Sequence, residues 1–321
     1  MSLYIEYTLI VKIILTLTCS LCYHSDSYGE KNYQLDEWLT YLEECKMKPA
    51  IQTKKLTVGY NDRLLFKSLD LSIPRGQISV FVGSNGCGKS TLLRSVARLL
   101  KPVDGSVLLE GKDIHRMSSR EAAKKMAILP QSPISPEGLT VHDLVKQGRY
   151  PHHSWLNRWS EDDTKKVNEA MKATGVEELR DRPVDELSGG QRQRAWIAMT
   201  LAQDTDIILL DEPTTYLDMT HQIDILDLLF ELNEKHGRTI IMVLHDINLA
   251  SRYAHNIIAI KDGKVFDQGL PETIITCDLI RSVFGMECQV STDPLFGTPH
   301  CIPFGRGRCV LPNLNEVTHS G

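Results

Sequence analysis

One stretch limits the possible folds more than any other: ISVFVGSNGCGKSTLLRSVARLL, residues 78–100. ISVFVG (78–83) is a continuous apolar run, the pattern of a strand covered on both faces. STLLRSVARLL (90–100) reads as a helix, stopped by Pro102 and the Asp104-Gly105 pair. Between them lies GSNGCGKST (83–91), which fits G-x-x-x-x-G-K-[ST] at Gly83, Gly88, Lys89 and Ser90. A strand, a glycine-rich turn and a helix in that order let backbone N–H groups close around a phosphate chain. The residues so placed are Gly83, Ser84, Asn85, Gly86, Cys87, Gly88, Lys89, Ser90 and Thr91. The helix N-terminus adds a favourable potential for anions. Lys89 reaches β- and γ-phosphates, and the Ser90 hydroxyl is placed to ligate Mg²⁺. A chance glycine-rich turn would have no reason to carry both flanks. Cys87 serves through its backbone, so its thiol is incidental.

From about residue 48 strands alternate with helices. LTVGY (56–60), SLDLSI (68–73), SVLLEG (106–111), AILPQ (127–131), DIILLD (206–211) and TIIMVLH (239–245) read as strands. Helices are expected around 118–126 and over 219–236, the latter with Ile223, Leu226, Leu229, Phe230 and Leu232 as its apolar face. Residues 139–186 look helical and polar, interrupted by a Pro/His/Trp loop at 151–159. From 265 come a short strand, a helix over PETIITCDLIRSVFG (271–285) and a Pro/Gly-rich end. The layout predicts an α/β domain carrying an inserted helical segment. The 321 residues are 42% hydrophobic and 24% charged, which argues against a disordered, collagen-like or polytopic membrane chain. A net charge of −5 offers no global basic excess for nucleic acid.

The N-terminus fits this picture poorly. Thr8 to Leu21 is apolar apart from Lys12 and some hydroxyls, yet too short for a comfortable membrane span. No basic residue precedes it, as one would in a secretory signal. Residues 1–46 are therefore expected to be an atypical leader, with Met47 the true start; the rival reading is a short membrane anchor. Of eight cysteines, Cys19 and Cys22 form the only close pair, a weak zinc or redox signal. The late cysteines have no ligand spacing, so reduced thiols in a cytosolic protein are expected.

Two further motifs carry chemistry. IILLDEP (207–213) is an apolar strand ending in two carboxylates, where an α/β sheet places ligand-contacting groups. Asp211 would hold Mg²⁺, mostly through water, and Glu212 is placed to polarise an attacking water. LSGGQRQR (187–194) exposes backbone N–H groups at Gly189-Gly190 and opens a helix, a second anion-binding helix start. One nucleotide needs one phosphate loop, so the second site suggests a grip on a partner subunit's nucleotide. Taken singly, Tyr60 would be an ordinary strand-end aromatic, Gln131 a surface polar residue and His245 a core histidine.

Together and in order, these motifs resemble those of the ATP-binding subunits of ABC transporters, over about residues 50–305. GSNGCGKST is similar to Walker A and IILLDEP to Walker B. Ser188, Gly189, Gly190 and Gln191 resemble the signature motif. Gln131 matches the Q-loop, Asp218 of TYLD (215–218) the D-loop, His245 the switch histidine, and Tyr60 the aromatic that stacks on adenine. The resemblance implies a P-loop NTPase core with a mixed sheet, a small antiparallel β subdomain and an inserted α-helical subdomain at about 132–186. The ATPase domain would span 47–306, with 307–321 a disordered tail. The implied cofactors are ATP and Mg²⁺, the latter held by Ser90, Gln131 and Asp211. Two such domains would close head to tail on two ATP molecules, with Lys89 and Ser90 of one facing Ser188 and Gly190 of the other. Glu212 would orient the water and His245 would contact the γ-phosphate. The implied partners are a second copy or sister ATPase subunit, two membrane permease subunits and, indirectly, an extracytoplasmic substrate-binding protein. Nucleic acid is not among them, and the implied place is the cytoplasmic face of the cell membrane, as a peripheral protein.

Segments 140–163, 217–229, 243–265 and 283–306 resemble the importers of ferric siderophores, haem and cobalamin, with Gram-positive ferric-siderophore importers most similar. The implied function is ATP hydrolysis that energises ferric-siderophore uptake. A haem or cobalamin importer, an exporter subunit and a soluble ABC ATPase are the alternatives. Soluble ribosome-acting members carry two cassettes in one chain. Repair and chromosome ATPases split the two Walker motifs with a long coiled coil, whereas 122 positions separate Lys89 from Asp211 here, without sustained heptads.

Overall fold

Every residue of β3 (Ile78–Val82) is buried, because both faces of its sheet are covered. The computed structural model describes residues 49–60, 63–131, 133–153, 159–215 and 217–305. The leader at 1–46, with Cys19 and Cys22, and the tail at 307–321 lie outside the described residues. β3 belongs to a six-stranded sheet in which it pairs in parallel with β8 (Thr239–Val243) and β9 (Asn256–Lys261). β7 (Ile207–Leu210) and β6 (Met126–Leu129) extend the parallel part, and β10 (Lys264–Gly269) closes the other edge antiparallel. The sheet is therefore mixed, as the motifs imply.

Strand side chains alternate between two cores. Val80, Ile208, Leu210, Ile240, Met242 and Ile257 face one, whereas Phe81, Ile207, Leu209, Ile241, Val243 and Ile258 face the other. The second core is shared with the helix α1 (Lys89–Val96) through Leu92, Leu93 and Val96. It is also shared with an antiparallel sheet of β2 (Arg63–Ile73), β1 (Ile51–Tyr60), β4 (Asp104–Leu109) and β5 (Lys112–Asp113). The phosphate-loop helix thus lies between two sheets. A short helix α2 (Ser119–Lys125) leads into β6.

The first core takes in the helices α3 (Val141–Gln147), α4 (Glu161–Ala173), α5 (Gly189–Ala202) and α6 (Met219–His236). α6 has the expected bounds, capped by the Asp218 carboxylate at one end and by left-handed Gly237 at the other. No helix among the described residues is long and apolar enough to cross a membrane.

Several features depart from the sequence reading, β2 among them, which begins at Arg63 rather than Ser68. α1 ends at Val96, four residues early, in a turn where Leu99 and Leu100 both donate to the Arg94 carbonyl. β1 begins at Ile51 rather than Leu56; register shifts against β2 between Thr53 and Leu56 break the alternation that would have revealed it. The expected helix over 271–285 is two, α8 (Pro271–Ile274) and α9 (Cys277–Phe284), because Thr276 caps the second. α7 (Ile247–Tyr253), β9 and the hairpin β11 (Cys288–Thr292) with β12 (Pro299–Pro303) come as additions. Cys87, Cys277, Cys288 and Cys301 are free thiols.

Candidate active site

The phosphate loop is shaped by glycine. Gly83, Gly86 and Gly88 have φ of 149°, 78° and 108°, a region that side chains disfavour. A Cβ on Gly83 would stand 2.3 Å from the Ile260 carbonyl oxygen, and one on Gly88 would stand 2.7 Å from the Phe66 ring. The turn is therefore closed to larger residues from two sides. Lys89 is buried beneath it, and its ammonium donates to the carbonyls of Gly83 (2.8 Å) and Ser84 (3.0 Å). Three protons on Nζ leave one for a ligand. α1 starts with no side-chain cap and no acid in its first turn, so its first N–H groups and positive end are open to an anion.

A cavity of about 560 Å³ opens over this loop. That volume suits a small-molecule ligand. Of the residues expected at the site, Tyr60, Asn85, Gly86, Gly88, Lys89, Ser90, Thr91, Glu212 and His245 line it. Tyr60 is partly exposed at the end of β1, where a flat ligand can stack. Arg63 and Leu65 on β2 also line the cavity and were not anticipated. The hairpin register that pairs Tyr60 with Arg63 brings them there.

The two carboxylates after β7 differ sharply. The Asp211 side chain has no exposure, and neither of its oxygens has a hydrogen-bond partner among the described residues. Burial pushes its carboxyl above the usual carboxylate range. The nearby Ser90 hydroxyl and the Arg94 guanidinium, 3.7 Å away, oppose this without hydrogen-bonding it. Two buried, unpartnered acid oxygens beside a hydroxyl fit a hard cation such as Mg²⁺. Glu212 is instead held from three sides. Gln131 Nε2 donates to its Oε2 at 2.6 Å, Thr215 Oγ1 donates to the same oxygen at 3.1 Å, and His245 Nε2 lies 2.8 Å from Oε1. Its backbone sits at φ 55°, a left-handed conformation that costs a non-glycine residue about 1–3 kcal/mol. Thr215 and Arg94 were missed as site residues. Thr215 lies three residues beyond Glu212, and Arg94 one helical turn beyond Ser90, so their spacing was the available signal.

The signature residues lie elsewhere. Ser188 caps α5, accepting from the Gln191 N–H, while the Gln191 side chain accepts from the Ser188 N–H. None of Ser188, Gly189, Gly190 and Gln191 lines the cavity. Gly190 faces α6: a Cβ there would stand 3.3 Å from the His221 ring. Asp218 caps α6 and accepts from the His221 N–H at 2.9 Å, with the His221 Nδ1 at 2.7 Å. The expected residues thus form two groups, one around the cavity and one at the starts of α5 and α6.

Known proteins with these features are similar along most of the chain. Residues 66–215 match the family described as ABC transporter. The probable siderophore transport system ATP-binding protein YusV of Bacillus subtilis is 65% identical over 270 residues, 84% of this chain and 98% of that protein. The petrobactin import ATP-binding protein FpuD of Bacillus anthracis is 62% identical, covering 85% of this chain and 99% of its own length. Among solved structures, a dimeric ATP-binding cassette in a post-hydrolysis state, bound to ADP and Pi, is 30% identical with a TM-score of 0.61. That match covers 68% of this chain and 98% of the other.

Proposed function

We propose that this chain, which belongs to the ABC transporter family of ATP-binding proteins, is the ATP-hydrolysing subunit of an importer for ferric siderophores. The observation that carries the reading is the division of the anion-binding helix starts. α1 opens onto the cavity with Glu212 beside it, whereas α5 presents Ser188 and Gly190 away from it. A second copy placed head to tail would bring those groups onto the first copy's nucleotide, as befits relatives that include a dimeric cassette. The cargo follows from the relatives' names, which specify siderophore and petrobactin transport.

The residues divide the work. Tyr60 stacks on the adenine. The Gly83–Thr91 turn and the third proton of Lys89 hold the phosphates. Ser90 and Asp211, with Gln131 at the edge, would hold Mg²⁺, which supplies charge neutralisation to the phosphates when bound. Glu212 accepts a hydrogen bond from the attacking water and aims it at the γ-phosphorus, and His245, whose Nε2 lies 2.8 Å from that carboxylate, contacts the γ-phosphate. Asp218 meets the partner copy beside the signature residues. The ATPase domain is taken as 47–306, with the helical subdomain at about 132–186 docking on two permease subunits at the cytoplasmic face of the membrane. An extracytoplasmic binding protein delivers cargo to those permeases and touches this chain only through them. ATP-driven closure of the two copies then biases a two-state arrangement of helices in another chain.

The test is Glu212→Gln. Hydrolysis by the purified chain should fall by about 10²–10⁴, the worth of a positioned general base. ATP binding should survive, and light scattering should show ATP converting monomer to dimer. A variant that still hydrolyses, or that stays monomeric with ATP, overturns the reading. In cells lacking the chain, uptake of labelled ferric siderophore should stop while haem and cobalamin uptake continue; the opposite pattern would reassign the cargo.

A further inference from the structure

Gln193 stands at the fifth position of α5, one turn beyond Gly189 of the signature residues. Its Nε2 donates to the Pro213 carbonyl oxygen at 2.9 Å. Pro213 is the residue after Glu212 and is itself buried. We propose that Gln193 is a positioning residue for Glu212, coupling the face of α5 that meets a partner to the base that acts on the chain's own nucleotide. This rests on the reading of the chain as an ATPase that closes on a second copy.

Glu212 occupies a left-handed backbone conformation, and such a conformation persists only where its surroundings over-determine it. On the entry side the Asp211 N–H is fixed to the Leu129 carbonyl at 2.9 Å. On the exit side Pro213 has no N–H to give, so the turn is held through carbonyls. Thr215 N–H reaches the Glu212 carbonyl at a long 3.3 Å. The Gln193 amide is the side-chain donor to the Pro213 carbonyl among the described residues, and its geometry is the better of the two.

The other end of the link is equally fixed. Past Gln193, α5 is locked into the core by Ala195, Ile197 and Ala198. Its start lies against α6, where a Cβ on Gly190 would stand 3.3 Å from the His221 ring. A push on Ser188 or Gly190 from a partner's nucleotide therefore moves a stiff helical turn, and that turn ends on the carbonyl beside Glu212. Gln131, Thr215 and His245 fix the carboxylate itself, but none of their side-chain bonds reaches the backbone after it. Gln193 supplies that restraint, from the helix that senses the partner.

Two substitutions of similar length test this. Gln193→Met fills the space without a donor, and Gln193→Glu keeps the shape but turns an acceptor toward the carbonyl. Steady-state hydrolysis, ATP affinity and melting temperature should be measured for both, beside wild type and Glu212→Gln. kcat should fall roughly 10- to 100-fold, as for a reacting group misplaced by about an ångström. KM, ATP affinity and melting temperature should stay near wild type, and cooperativity in ATP should weaken, with Glu the more severe. Wild-type kcat and cooperativity in Gln193→Met would overturn the positioning role. So would a parallel loss of kcat, ATP affinity and melting temperature in both variants, which would mark a packing role. If Glu212→Gln itself retains hydrolysis, the ATPase reading fails first and the inference falls with it.

Discussion

Asp163 and Asp211 are both buried acids, and the fold treats them in opposite ways. Asp163 lies in the first turn of α4, within the helical segment. Its side chain is 7% exposed and that of Arg149, its partner at 2.9 Å, is 5% exposed. Burial alone would raise its carboxyl, but the Ser160 hydroxyl and N–H, together with Arg149, bring it down to about 2. Arg149 also donates to the Ala202 carbonyl, so the pair ties α4 to the end of α5. Asp211 has no hydrogen-bond partner among the described residues, and burial leaves it raised. One region completes its own electrostatics on folding. The other keeps an acid incomplete, and an incomplete buried acid is a place for a ligand rather than a support for the fold.

The largest effect should come from removing the completed charge. Asp163→Asn removes the buried counter-ion of the Arg149 guanidinium, leaving it only the exposed Asp162 at 3.9 Å, and should destabilise the domain by up to about 3–5 kcal/mol in denaturant melts. No measurable loss would put the two acids on the same footing.

Asp211→Asn should do the reverse. It removes a buried acid that has no hydrogen-bond partner among the described residues and only the half-exposed Arg94 at 3.7 Å to offset it, so the ligand-free protein should melt close to or above wild type. What it should lose is the stabilisation by Mg²⁺ with nucleotide, about 2.7 kcal/mol at a hundredfold excess over Kd. Thermal shifts with and without Mg²⁺ decide the point, and an Asn variant that responds like wild type would remove Asp211 from the cation site.

Acid sharpens the contrast further. Asp163 titrates near 2 when folded and near about 3.9 when unfolded, so the unfolded chain takes the proton first. Its contribution is whole above the unfolded value and is lost as pH falls from about 4 through 2. The stability gap between wild type and Asp163→Asn should therefore narrow, by roughly 2–3 kcal/mol, across that window. A gap that stays constant would mean that Asp163 does not stabilise through its charge. The smallest effect concerns the cap: Ser160→Ala should cost about 1 kcal/mol, and, by raising the folded carboxyl toward its unfolded value, should raise the pH at which the acid loss is complete.

Much of this was legible before any coordinates. The phosphate loop, the two acids after β7 and the bounds of α6 are local: each depends on residues a few positions apart, with caps such as Asp218 and Gly237 written beside them. NIIAIK (256–261) was not legible as β9, since a short apolar run after a helix fits either element until a neighbour claims it. It became a strand because Ser79, Val80, Phe81 and Val82 pair with it. The β11–β12 hairpin was hidden by its prolines, which pass as loop residues and are tolerated here in a two-stranded ribbon at the end of the described chain. Thr215, Arg94 and Gln193 carry no motif of their own, and their roles appear only from what they touch.

By itself the sequence determined the local pieces: a glycine-rich turn between strand and helix, two acids that end a strand, and a second helix start with paired glycines. These follow from the covalent order of residues within single turns, where backbone geometry leaves few choices. The tertiary structure alone decided which of those groups share a cavity. Gln131 reaches Glu212 across 81 positions, and His245 reaches it from a third strand, because parallel pairing sets the ends of β6, β7 and β8 side by side at one edge of the sheet. The same packing turned the start of α5 away from that edge. Long-range register, which no local signal encodes, separated the residues around the cavity from those at the start of α5.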